Sequence, residues 1–248
     1  MNLKSLLEQA EAYEQTLPDF PGGLDVEGQA LAAYFDSTIL KPEATVDQVK
    51  LLCDDARQYH FAAVCVNPIH VARATRFLKG SEVKNCSVVG FPLGASPTSL
   101  KVEEAVYVLK EGAEEVDMVI PVGMLKTGMF GYVYDDICGV SDAAHRHKAH
   151  SKIILEMGLL TLKEKIIACL LSQAAGADFV KTSTGMMAGG ATVEDVELMR
   201  RVVGPEMGVK AAGGIRTLAD ARAMLKAGAN RLGTSAAVKI LAEATANG

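Results

Sequence analysis

The chain has 248 residues, of which 49% are hydrophobic and 22% charged, and its formal net charge is −5. That is enough apolar material for a full core, in one domain of α/β-barrel size or in two smaller ones. The acidic balance, the lack of a Lys/Arg stripe, the absence of Trp and an aromatic content of 5% argue against nucleic acid or an anionic membrane as a partner. Cys53, Cys65, Cys86, Cys138 and Cys169 form no C-x-x-C pair, so neither a zinc site nor a disulfide framework is expected, and a cytoplasmic location is the simplest expectation. The first residues are too charged for a signal peptide, and no apolar run reaches transmembrane length.

In chain order, Leu3, Leu6, Leu7, Ala10, Tyr13 and Leu17 share one face and predict an amphipathic helix over 3–17. Pro18, Pro21, Gly22 and Gly23 end it. A helical extension over residues 1–30, packed on the bottom of the domain that follows, is expected. Over 31–248 short apolar runs alternate with helical stretches. The runs lie near Ala32–Asp36, Ala62–Val66, Ser87–Val89, Glu115–Ile120, Lys152–Leu155, Asp178–Lys181, Gly208–Lys210 and Asn230–Gly233. Their near-continuous Ala, Val, Ile and Leu content predicts buried parallel strands. Helices are expected to open at Thr45, Thr161, Thr192 and Thr217, each followed three residues later by Gln, Glu or Asp. Eight such alternations predict the α/β class and a (β/α)8 barrel as a single catalytic domain. A doubly wound sheet is the alternative, but its G-x-G-x-x-G turn is absent.

An internal repeat favours the barrel. Gly112-Ala113, Gly176-Ala177 and Gly228-Ala229 end helices, and Asp117, Lys181 and Gly233 each follow five residues after the glycine. His60 takes the glycine's place once, and Cys65 follows at the same step. These fall on strands two, four, six and eight, and one layer of barrel side chains comes from alternate strands. Uniform register then puts Cys65, Asp117, Lys181 and the backbone of Gly233 at similar depth.

Two lysines close apolar runs. Lys181 precedes Thr182-Ser183-Thr184-Gly185, and Lys210 precedes Ala211-Ala212-Gly213-Gly214. A lysine at the mouth of a buried strand loses solvation, which favours the free amine, and a free amine attacks carbonyl carbon. Lys210 on the adjacent strand is expected to repel the Lys181 ammonium. At about 5 Å and an effective dielectric near 20 the repulsion is roughly 3 kcal/mol, about two pKa units. Asp117, in an apolar strand, needs partners and is expected to pair with the lysines and relay protons through water. Asp36 ends the first run and is expected in a supporting role. Gly213-Gly214 and Gly233-Thr234-Ser235 suggest backbone N–H groups that cradle a phosphate. His145, His147 and His150 are expected on a solvated face rather than at a metal, and Cys65 as a packed thiol near the mouth.

At these residues the chain resembles the deoxyribose-phosphate aldolase family, class I aldolases built on a TIM barrel. The resemblance runs from about Asp36 to Ser235. It includes Leu40-Lys-Pro-Glu-Ala-Thr45, Val64-Cys-Val-Asn-Pro68, Val89-Gly-Phe-Pro-Leu-Gly-Ala95, Glu115-Val-Asp-Met-Val-Ile120 and Lys210-Ala-Ala-Gly-Gly-Ile-Arg-Thr217. It implies Lys181 as the Schiff-base former, Lys210 as the lysine that perturbs it and Asp117 in the proton relay. It also implies phosphate contacts at Gly213, Gly214 and Ser235, with Thr184 and Gly185 lining the site; Gly233, Asp36 and Cys65 complete the expected substrate-side set. The implied reaction is reversible cleavage of 2-deoxy-D-ribose 5-phosphate, with no metal or organic cofactor, phosphorylated sugar and aldehyde as ligands, and a homodimer among the assemblies. The chain departs from the family pattern at Ser37, Pro121, Met157 and Met186-Met187, all expected on the pocket wall. The rivals are an imine-forming aldolase for another sugar phosphate, a metal-assisted aldolase or isomerase, and a barrel that binds a phosphorylated ligand without catalysis.

Overall fold

The computed structural model describes residues 2–187 and 189–246; Met1 and Gly248, the outer ends of the two expected segments, lie outside them. The elements run α1 (Leu3–Gln15), β1 (Phe35–Ile39), α2 (Val46–Tyr59), β2 (Ala63–Val66), α3 (Val71–Phe77), β3 (Lys84–Val89), α4 (Thr98–Lys110), β4 (Glu115–Val119), α5 (Val122–Lys126) and α6 (Phe130–Arg146). They continue with β5 (His150–Ile154), α7 (Leu162–Ala174), β6 (Phe179–Lys181), α8 (Val193–Val203), β7 (Gly208–Ala212), α9 (Leu218–Lys226), β8 (Arg231–Thr234) and α10 (Ala237–Ala246). Every strand pairs in parallel with its sequence neighbours and β8 closes on β1, so the eight strands form the expected barrel. Side chains that point outward, among them Val64, Val116, Met118, Ile153, Val180 and Leu232, are fully buried against the helices. Each stabilises the shell by roughly 1.5–3 kcal/mol.

Local chemistry sets the helix starts. Thr45, Thr161 and Thr217 each form both halves of a capping box. Thr192 accepts from the Asp195 N–H, and no reciprocal bond from Asp195 is formed at that cap.

Two expectations are corrected. The run Ala32–Asp36 is mostly a 3-10 stretch over Gly28–Tyr34, and β1 begins at Phe35. A short apolar run does not by itself distinguish strand from helix. Asp36 is therefore the second residue of its strand and sits low in the barrel. Lys210 is the middle residue of β7, which continues to Ala212. In the N-terminal extension, α1 lies along α7, with Lys163 to Glu11 at 3.1 Å. The chain after α1 crosses the C-terminal ends of α8 and α9, through Arg201 Nε to the Pro18 carbonyl (2.7 Å), Leu24 N to the Leu225 carbonyl (2.9 Å) and Lys226 to Asp25 (3.3 Å).

The interior is divided. Leu40, Ala63, Cys65, Cys86 and Val88, with Phe91 against them, form a small apolar cluster beside β1–β3. The other half holds charge. Parallel register aligns Asp117 with Lys152, Lys181 with Lys210, and Lys210 with Arg231. Side chains in register point the same way across a sheet, so these groups face one another.

Candidate active site

Asp117 is the hub. Fully buried, its Oδ2 accepts from Lys181 Nζ and from Lys210 Nζ, each at 2.7 Å. Its Oδ1 accepts from Lys152 Nζ at 3.0 Å and from the Cys86 thiol at 3.1 Å. Lys210 also donates to Asp36, and Lys152 to Glu115. Below them, Arg231 donates to Asp36 Oδ1 at 2.7 Å and to Glu115 Oε1 at 3.1 Å. Burial opposes ionisation of Asp117, but Lys152, Lys181 and Lys210 outweigh it and hold the carboxyl well below its usual range. Burial likewise disfavours the Lys210 ammonium, and Asp117 and Asp36 outweigh it, raising its pKa above the ordinary lysine value. Lys152 is raised in the same way, by Asp117 first.

Lys210 and Lys152 thus stay charged. The expected picture of two amines in simple repulsion is incomplete, since a shared carboxylate oxygen lies between them and offsets the repulsion. Lys181 differs from the other lysines of the cluster in two respects. It holds a single carboxylate contact, to Asp117, whereas Lys210 holds Asp36 and Asp117 and Lys152 holds Glu115 and Asp117. It is also the only one that borders the cavity at the carboxyl end of the strands.

That cavity has a volume of about 710 Å³. Thr184 and Gly185 line one side, Gly213 and Gly214 the next, and Gly233 and Ser235 the third. Lys41 and Arg216 stand at its rim. The backbone at Gly213 packs against that of Gly185 and of Gly190: a Cβ on Gly213 would stand 3.1 Å from the Gly190 Cα and 3.4 Å from the Gly185 Cα. Gly213 and Gly214 have φ of +90° and +83°, which side chains rarely adopt. Gly233 is needed for a different reason, because its Cβ would meet Lys210 Cε at 3.1 Å.

Asp36 and Cys65 do not line the cavity. Both are fully buried; Asp36 lies under Lys210, and Cys65 packs beside Cys86. Of the departures, Met186 lines the cavity, whereas Met157 is buried away from it. His145 binds Asp178 at 2.9 Å and lies with His147 and His150 around the C-terminal end of α6 and the start of β5, far from the cavity. Among the described residues, Cys65, Cys86 and Asp117 form the one group with the spacing of metal ligands, but the ammonium groups on Asp117 oppose a cation there.

A family description, DeoC/LacD family aldolase, matches residues 29–242. The chain belongs to the DeoC/LacD aldolases. It is 58% identical over 216 residues to the deoxyribose-phosphate aldolase of Thermococcus gammatolerans, covering 86% of this chain and 96% of the relative. To that of Clostridium perfringens it is 54% identical, covering 87% and 96%. Among solved structures, a putative deoxyribose-phosphate aldolase from Coccidioides immitis superposes with a TM-score of 0.92 at 40% identity over 98% of both chains. The Aeropyrum pernix deoxyribose phosphate aldolase, described as tetrameric, gives 0.82 at 35% over 98% of both.

Sequence reasoning named Lys181, Lys210, Asp117 and, in a supporting role, Asp36 of this cluster, and missed Lys152, Glu115, Cys86 and Arg231. The available signal was the strand period: Glu115 lies two residues before Asp117, hence on the same face.

Proposed function

We propose that the chain reversibly cleaves 2-deoxy-D-ribose 5-phosphate to D-glyceraldehyde 3-phosphate and acetaldehyde through a Schiff base on Lys181. The observation that carries this reading is the Lys181 amine at the inner end of the cavity, on the same Asp117 oxygen as Lys210. The amine attacks the sugar's C1 carbonyl, and loss of water gives a protonated imine. The imine draws electrons from the C2–C3 bond as the C3 hydroxyl gives up its proton. Glyceraldehyde 3-phosphate departs, and an enamine of acetaldehyde remains on Lys181. Protonation at its terminal carbon and hydrolysis of the imine release acetaldehyde and the amine. Asp117 and the Lys210 ammonium hold and pass these protons, with water as the intermediary.

The phosphate is assigned to the Gly213-Gly214 and Gly233-to-Ser235 turns, with Thr184 and Gly185 facing it and Arg216 and Lys41 supplying positive charge at the rim. Gly213→Ala is expected to raise KM for the phosphorylated substrate about tenfold, roughly 1.4 kcal/mol. Turnover of unphosphorylated 2-deoxyribose should change much less. Parallel kinetics on the two sugars check this.

The membership of the chain in this reading extends to its organisation: an extension over 1–30 and one catalytic barrel over 31–248, acting as a homo-oligomer in the cytoplasm. The tetrameric Aeropyrum pernix relative and the five free thiols support the last two points. Among the described residues no helix is long and apolar enough to cross a membrane.

Borohydride added with substrate should fix mass on Lys181, read by peptide mapping, and EDTA should leave turnover intact. Mass on another lysine, or activity lost to chelation, overturns the assignment.

A further inference from the structure

The barrel floor carries a group that the reaction does not use. Arg231 opens β8, two residues before the cavity-lining Gly233, and its guanidinium lies 5.5 Å from the centre of the Phe179 ring. That ring packs on the backbone of Gly208, where a Cβ would come within 2.1 Å of it. Fixed there, the guanidinium reaches up to both Asp36 and Glu115. These are the carboxylates that Lys210 and Lys152 hold from above. The cluster therefore contains four cations, Lys152, Lys181, Lys210 and Arg231, and three carboxylates, Asp36, Glu115 and Asp117. Arginine cannot give up its proton in this setting. The cluster thus holds one cationic side chain more than it has carboxylates, and among its lysines Lys181 has the fewest carboxylate contacts.

We propose that Arg231 is a positioning residue for the aldol reaction: by engaging Asp36 and Glu115 from the floor, it leaves the lysines above one carboxylate short and so keeps the Lys181 amine available for attack. The groups facing the cluster from every side are Asp36 on β1, Cys65 on β2, Cys86 on β3, Glu115 and Asp117 on β4, Lys152 on β5 and Lys210 on β7. Burial raises Cys86 and keeps it a thiol. Cys65 is the other group that the excess charge could ionise, since its contact with Cys86 and the charges of Lys210 and Lys181 draw it below the ordinary thiol range. Arg231 does not line the cavity; it acts through Asp36 and Glu115 on the lysines above them.

The inference rests on the imine reading, and the two fail separately. Borohydride trapping on the unaltered chain tests the imine; pH profiles of floor variants test Arg231. Arg231→Gln removes a cation, which stabilises the ammonium form above it. The acid limb of kcat/KM, and of the trapping rate on Lys181, should move to higher pH by about one unit or more, a loss of about tenfold at a pH on that limb. The plateau KM should stay within about twofold. Arg231→Lys keeps the charge and should follow the parent. Glu115→Gln removes a carboxylate from the same floor and should move the limb to lower pH, which decides the matter if Arg231→Gln does not fold. A limb that stays in place in a folded variant, a Glu115→Gln shift in the upward direction, or an Arg231→Gln shift that vanishes in a Cys65→Ala background overturns the proposal.

Discussion

Lys181→Met is expected to lower kcat/KM for 2-deoxy-D-ribose 5-phosphate by at least about 10⁴-fold, without loss of the fold. The thioether fills the volume of the lysine stem but has no nitrogen to form the imine. Everything else that shapes the cavity remains, including the glycine turns and the Lys210–Asp117 pair. Substrate affinity should therefore survive where turnover does not. Stability has a predicted sign as well. Most losses of a buried ion's partner cost several kcal/mol because a charge is left stranded. Lys181→Met removes the lysine with the fewest carboxylate contacts in the cluster, and Asp117 keeps Lys152 and Lys210. The urea midpoint should be unchanged or higher. Lys181→Arg separates the two roles: it restores a donor to Asp117, cannot form the imine, and should be as inactive as the methionine variant. Steady-state kinetics with urea melts on both variants check this. A methionine variant within tenfold of the parent would remove the imine from the mechanism.

The barrel and its catalytic centre were legible in the sequence to different depths. Near-continuous apolar runs and their spacing determine strand number and parallel pairing, and the five-residue step from helix end to Asp117, Lys181 and Gly233 determines which side chains share a layer. What could not be read was pairing between strands. Lys152 stands in His150-Ser151-Lys152, which reads as a polar strand entrance until the register with Asp117 is known. Arg231 follows Asn230 and looks equally like a solvent-facing start. Asp36 was placed at a strand end because Ala32 to Tyr34 read as strand; its true position, one residue into β1, is what puts it under Lys210 rather than on the cavity wall. The same gap explains the electrostatics. Two lysines alone imply repulsion, whereas the full set includes three carboxylates and a floor arginine, so the balance of the whole cluster decides which amine is free.

Asp117→Asn should be the most damaging single change to the molecule, because it combines a structural loss with a chemical one. The carboxylate accepts from three lysine amino groups and a thiol. An amide offers one acceptor oxygen and turns an NH2 donor toward at least one ammonium, whichever way it sits. Leaving buried ammoniums without their counter-charge costs about 3–5 kcal/mol, read as a lower urea midpoint at neutral pH. The pH dependence follows from the depressed carboxyl. Its contribution is fully present above the unfolded value of 3.8 and is lost as pH falls through the lower folded-state value. The deficit of the variant should thus be constant from neutral pH down to that range and narrow only in stronger acid. Activity should fall by about 10²–10⁴-fold, mostly in kcat, since the proton relay is broken while the phosphate turns are untouched. Adding Lys210→Met to the variant removes one of the stranded cations. It should recover part of the lost stability and none of the activity, a coupling that a double-mutant cycle measures directly. If Asp117→Asn unfolds at the parent's midpoint, the carboxylate does not hold the lysines together, and the charge balance assigned to this barrel is wrong.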